Sequence, residues 1–209
     1  MSSSFLKDCR FQVIHNGIDL DVFDVQPDDK AVREKYNLGT KRIILGLASI
    51  WCKEKGWDDF VEMSGMLNED EVIVMVGVSE EQMKRLPSNV VAIRRTENVR
   101  QLAELYSAAT AFVNPTWQDN YPTVNLEAIA CGTPVVTYRT GGSIEAVTEK
   151  TGFVVEQGDV KGLLEAVRRI AERGKVQYTA DCRAYALANF RKEDRYADYL
   201  KLYENITVR

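Results

Sequence analysis

Histidine occurs once in the 209 residues, at His15, and none of the four cysteines (Cys9, Cys52, Cys131, Cys182) forms a CxxC pair or a Cys/His cluster. That scarcity argues against a zinc centre and a disulfide framework, and fits a reduced cytosolic compartment. Basic residues are outnumbered, 27 against 31 acidic, for a net charge of -4. They form no long run, so a dedicated nucleic-acid surface is not expected. No segment approaches the roughly 18 apolar residues of a membrane span, and the opening MSSSFLKDCRF lacks the apolar core of a signal peptide. The chain therefore reads as soluble, and the Asn205-Ile206-Thr207 sequon as chance. None of the thirteen glycines falls in GxGxxG or GxxxxGK[ST], which disfavours a nicotinamide oxidoreductase and a P-loop enzyme.

What is present is a regular alternation. Short β-branched runs (FQVI near 11, RIILGLA near 42, EVIVMVG near 71, NVVAI near 89, TAFVN near 110, PVVTY near 134, GFVV near 152) are separated by segments of helical period such as DDFVEMSGML and VRQLAELYSAA. Continuous apolar strands divided by helices predict a doubly wound parallel sheet, an α/β Rossmann-like fold. Three helical segments, around 159 to 173, 176 to 189 and 192 to 205, close the chain. We read residues 1–209 as one domain, with no repeat or linker. Tyr196, Tyr199, Leu200 and Tyr203 share one face of the last helix; packing on this domain's own sheet is the favoured cover, and contact with another domain the alternative.

In such sheets ligands sit beyond the carboxyl ends of the strands. That rim collects Lys53 and Lys55, then Arg94, Arg95 and Thr96, then the stretch DNYPTVNLE, then Arg139 with Gly141 and Gly142. Pro122 suits the first turn of a helix capped by Asn120 or Tyr121, so that Thr123, Val124 and Asn125 offer free amides to an anion. Asp119 precedes this helix, and Glu127 lies inside it among apolar neighbours, where a carboxylate needs a partner. Either acid alone could be a dipole contact or a solvated side chain. Their company on one rim suggests a ligand with both phosphates and hydroxyls. Gly132 and Pro134 end the helix.

The block ELYSAATAFVNPTWQDNYPTVNLEAIACGTPVVTYRTGGSIEAV, with VIHNGIDLDVF and REKYNLGTKRIILGLASIWCKEKG before it, resembles the C-terminal, nucleotide-sugar-binding half of retaining glycosyltransferases of the GT-B fold. That family includes sucrose synthase and bacterial capsule and lipopolysaccharide transferases, and the likeness runs from about residue 11 onward. It implies that Asp119 and Glu127 stand where the family has two glutamates with seven residues between them, the first on donor-sugar hydroxyls and the second on ribose. By the same resemblance Lys55 contacts the donor diphosphate, and the segment Asn120, Tyr121, Pro122, Thr123, Val124 faces the sugar and phosphates. Two departures stand out. The first acid is an aspartate, one methylene short, and Ser49 and Ile50 occupy the usual Gly-Arg positions, leaving Lys53, Arg94 or Arg139 to replace the phosphate arginine.

The implied reaction is retaining transfer of a sugar from a nucleoside diphosphate sugar to an acceptor hydroxyl, in surface polysaccharide or lipopolysaccharide synthesis. No metal or cofactor is expected; the Asp19-Leu20-Asp21 triplet reads as a structural turn. An acceptor glycan or lipid-linked glycan would be held by an N-terminal domain that these residues do not include, so the fragment alone is expected to be inactive. The intact enzyme would be cytoplasmic, with peripheral association at the inner face of the membrane allowed. His15 is read as structural. A binding module without turnover and a nucleotide-sugar epimerase of the same overall fold are the competing readings. Arg94, Arg95 and Thr96 border the base or form a solvated strand end.

Overall fold

A computed structural model describes residues 11–207. Six parallel strands form one sheet in the order β3-β2-β1-β4-β5-β6. They are β1 Arg42–Leu47, β2 Glu71–Val76, β3 Val90–Ile93, β4 Ala111–Asn114, β5 Val135–Tyr138 and β6 Gly152–Val155. Every residue of β2, β4 and β5 is buried, as continuous apolar runs in a sheet covered on both faces require. The helices are α1 Lys30–Lys35, α2 Trp57–Ser64, α3 Glu80–Met83, α4 Val99–Ala108, α5 Thr123–Ala130, α6 Val160–Arg173, α7 Val176–Asn189 and α8 Lys192–Thr207. Helices α2 and α6 pack together, as do α4, α5 and α7.

The chain runs outward from β1 through β2 to β3, then returns to β4 and continues the other way. This reversal makes the C-terminal ends of β1 and β4 the switch point at which a crevice forms. Pairing between these two strands stops at Leu45 and Phe112, two residues short of the last residues, Leu47 and Asn114. The strands part there, and the crevice opens.

Three expectations are corrected. FQVI is not a strand: residues 11–17 have no regular structure, and Phe11 and Val13 are 69% and 78% exposed, so no neighbour rewards the apolar run with a ladder. Instead the entry segment is held farther along, where the Ile18 amide donates to Phe190 and the Lys192 amide donates back to Ile18. The aromatic face of α8 is not covered by the domain's own sheet, since Tyr196, Tyr199 and Leu200 are 61%, 41% and 64% exposed. Finally, Pro122 is itself the N-cap of α5, in extended conformation at ψ 116°; the helix begins at Thr123, one residue later than the pattern suggests. Gly132 ends that helix in the left-handed region at φ 74°, as anticipated. Cys9 lies outside the described residues, and Cys52, Cys131 and Cys182 are free thiols.

Candidate active site

The crevice between β1 and β4 has a volume of about 260 Å³. It is lined by Leu47 at the end of β1, Ala48 and Ser49 just after it, Asn114 at the end of β4, and the head of α5, Tyr121 to Val124. Lys55 and Asp119 line it as a bonded pair, with Nζ 2.6 Å from Oδ2. The two side chains are 39% and 19% exposed, so water screens the pair, and such pairs are worth at most about 1 kcal/mol to the fold. The pair thus sits partly exposed on the crevice surface.

Lys55 is placed by a short 3₁₀ turn, Lys53–Lys55, that ends on Gly56 at φ 77°. A Cβ at Gly56 would stand 2.4 Å from the Pro115 ring, so only glycine lets this turn lie against the β4–α5 loop. Asp119 is placed from the other side. The Gly142 amide donates to the Asp119 carbonyl at 3.2 Å, and a Cβ on Gly142 would meet the Asn120 carbonyl oxygen at 1.6 Å. Thus Gly141 and Gly142, expected on this rim, serve it by letting two backbones touch. Beneath them lies a buried relay that the sequence did not single out. Asn114 donates to Asn125, Asn125 donates to the Ser143 carbonyl, and the Ser143 and Thr137 hydroxyls meet at 2.6 Å. It joins α5 to the loop after β5, and the signal for it was three polar residues in otherwise apolar runs.

At the head of α5 the Asn125 amide is taken by the Pro122 carbonyl at 3.1 Å. Thr123 and Val124 line the crevice, and as the first two residues of α5 their amides lie beyond the intrahelical ladder, at the positive end of the helix. Glu127 lies a turn deeper than the crevice wall and does not line it. Its Oε2 accepts from the Tyr106 hydroxyl at 2.9 Å. Burial pushes this carboxyl above its ordinary range, only partly offset by that bond. The two acids of the DNYPTVNLE stretch are thus differently situated: Asp119 opens on the crevice, while Glu127 has one oxygen committed to the neighbouring helix.

The remaining rim residues divide. Arg94 borders a second, adjoining cleft of about 370 Å³ with Ser49 to Trp51, Gly77 to Ser79 and Gln82, and it pairs with Glu80 at 2.5 Å. Lys53 and Arg95 are exposed, Thr96 is half-buried, and none of the three lines either cleft. Arg139 pairs with Glu156 at 2.8 Å. His15 stacks on Tyr121 with ring centroids 4.3 Å apart and bonds Glu145 at 2.8 Å, a packing role against the crevice wall. Asp19 accepts the amides of Asp21 and Val22 and pairs with Lys192, which makes the DxD triplet a turn.

Residues 41–173, more than half of the chain, match the family model described as glycosyl transferases group 1. The chain belongs to that family. It is 26% identical over 166 residues to the capsular polysaccharide biosynthesis glycosyltransferase CapM of Staphylococcus aureus, covering 74% of this chain and 43% of that protein. It is 30% identical over 185 residues to the GDP-mannose-dependent alpha-(1-6)-phosphatidylinositol monomannoside mannosyltransferase of Mycolicibacterium smegmatis, covering 79% and 48%. Among solved structures, sucrose-phosphate synthase of Thermosynechococcus elongatus superposes with a TM-score of 0.81 at 24% identity, over 94% of this chain and 53% of that one. Anabaena HepE in complex with UDP-glucose gives 0.80 at 18%, over 93% and 57%. These neighbours share the GT-B glycosyltransferase fold, in which the group 1 chain described here is a Rossmann-like unit. The chain spans about half the length of the relatives it matches. Among the described residues no helix is long and apolar enough to cross a membrane.

Proposed function

We propose that this group 1 chain is the donor-binding half of a retaining glycosyltransferase that moves a sugar from a nucleoside diphosphate sugar to an acceptor hydroxyl, in surface polysaccharide or lipopolysaccharide synthesis. The observation that carries the proposal is the Lys55–Asp119 pair lining one crevice with the head of α5. Lys55 and the head of α5 line the same crevice and on this reading supply positive charge for a diphosphate; Asp119, whose Oδ2 is bonded to Lys55, offers its remaining acceptor capacity to sugar hydroxyls. As the glycosidic bond breaks, negative charge grows on the departing diphosphate. Lys55 and the helix dipole stabilise it in place, the role that preorganised donors play in group transfer. The reading calls on no metal.

The adjoining, more apolar cleft beside Arg94 is suited to the base; Glu127 lines neither cleft, and its assignment to ribose hydroxyls rests on the family resemblance alone. Acceptor binding, as a glycan or lipid-linked glycan, belongs on this proposal to the portion of the relatives that the chain does not span. The mannosyltransferase relative is named for GDP-mannose and the HepE neighbour was crystallised with UDP-glucose, so both bases belong in the test. Titration calorimetry of the parent and Lys55→Ala with UDP, GDP, uridine and guanosine decides it. A charge-assisted hydrogen bond is worth about 1.5–3 kcal/mol, so the variant should bind the diphosphate about 10- to 100-fold more weakly and the nucleoside unchanged. Equal losses for both, or no diphosphate binding by the parent, would overturn the assignment.

A further inference from the structure

Trp117 is where the two loops of the crevice meet. Its backbone amide donates to the Glu54 carbonyl, the residue before Lys55, at 2.8 Å. Its indole N–H donates to Asp59 Oδ2 at 2.9 Å, and its ring stands edge-on to Tyr138 with centroids 6.1 Å apart. Two residues later comes Asp119. Trp117 therefore bonds through its backbone to the turn that carries Lys55, belongs to the loop that carries Asp119, and is itself held by its side chain to α2 and β5.

Asp59 needs explaining. It is 6% exposed and sits in the first turn of α2 beside Trp57 and Phe60, where an apolar residue would be buried at no cost to solvation. Its recorded bonds are to two neutral donors, Trp117 and the Tyr138 hydroxyl, the latter at 2.6 Å. Burial and the Asp59 carboxylate push the Tyr138 phenol far above its ordinary range, so Tyr138 remains a donor. A buried carboxylate is expensive unless bonded, and the positive end of α2 helps to hold it. Its bonds tie α2 both to Trp117, whose backbone joins the two loops, and to β5.

We infer that Asp59 and Trp117 form a staple that sets the spacing between Lys55 and Asp119, and that both are positioning residues of the crevice. In its ligand readout this rests on the donor-site reading above; in its structural readout it does not. The other anchors fit the same purpose. The Thr116 hydroxyl also reaches the Glu54 carbonyl, at 3.2 Å, and the Gln157 amide reaches the Trp117 carbonyl at 3.2 Å.

The test uses Trp117→Phe, which keeps the ring and removes the indole donor, Asp59→Asn, and Tyr138→Phe, which removes only the second donor to Asp59. Without ligand, amide hydrogen exchange across residues 53–57 and 115–119 should quicken about tenfold in Trp117→Phe and Asp59→Asn, the size expected for one hydrogen bond to a charged group. With UDP and GDP as probes, the same two variants should bind whichever nucleotide the parent binds about tenfold more weakly, and the double variant no more weakly than either single one. Tyr138→Phe should lower the melting temperature and leave affinity alone. Additive losses, or a Tyr138→Phe loss of affinity equal to the others, would reduce Asp59 to a stabilising residue and overturn the staple. If the parent binds neither nucleotide, the donor-site reading falls and exchange alone decides: unchanged protection in Trp117→Phe overturns the staple.

Discussion

The tightest approach in the crevice gives the sharpest prediction. In Gly142→Ala the new Cβ would stand 1.6 Å from the Asn120 carbonyl oxygen and 2.7 Å from its carbon. Ordinary contact between such atoms lies near 3.5 Å, so the Asn120 peptide must retreat by roughly 1.5 Å or more. That retreat breaks the hydrogen bond from the Gly142 amide to the Asp119 carbonyl and carries Asp119 away from Lys55. Overpacking costs about 1–3 kcal/mol and the lost bond about 1 more, a total of roughly 2–4 kcal/mol. For a chain of 209 residues this is a fall in melting temperature of roughly 4–16 °C. Differential scanning calorimetry measures it, with Gly65→Ala as the control. Gly65 has φ -74° and an added Cβ there would come no nearer than 3.4 Å to the Glu62 carbonyl oxygen, so alanine should be neutral or stabilise by about 0.4–1 kcal/mol. If Gly142→Ala melts with the parent, close backbone approach is not what the glycine pair provides, and its amides would have to be read as ligand contacts instead.

Two pH predictions carry opposite signs. Burial raises the Glu127 carboxyl; its cost to the fold is absent below the unfolded carboxylate value of about 4.3 and grows as pH rises through the folded value. Glu127→Gln, which still accepts from Tyr106, should therefore melt above the parent at pH 7 and with it near pH 4, and a constant gap would refute the cause given. Glu71 is the reverse case, held low chiefly by the Arg168 guanidinium through two bonds of 2.8 Å. Its contribution is present above the unfolded value and lost as pH falls, so Arg168→Met should cost about 3 kcal/mol at pH 7 by urea unfolding and less toward pH 4.

The strands were legible because a doubly covered sheet demands unbroken apolar runs, and six of the seven such runs became strands. The seventh, FQVI, finds no partner; three apolar residues interrupted by a glutamine report affinity for an interior without saying whether an interior is there. The α8 stripe teaches the same lesson at helical spacing. Periodicity showed that Tyr196, Tyr199 and Leu200 share a face, yet what covers a face depends on surfaces far away in the chain. Cap placement failed by one residue for a local reason: proline lacks an N–H, so either side of the helix boundary accommodates it.

For the crevice, the legible and illegible parts divide by distance along the chain. Lys55, Asp119 and the head of α5 could be placed on one edge because each lies in the connection that follows a strand, and the fold alone sends strand ends to one edge. What holds them at the right separation was hidden, because those contacts join residues with no sequence relation: Asp59 and Trp117 are 58 positions apart, Thr137 and Asn114 are 23 apart, and Gly142 meets Asn120 across a loop. A reader of the sequence sees in Asp59 one more acid in the first turn of a helix, where acids are common. Only burial separates it from its neighbour Asp58, which is exposed. The groups that line such a crevice are thus set by topology, whereas its geometry is set by buried polar groups whose identity as such appears only after folding, and it is these that the staple and glycine variants address.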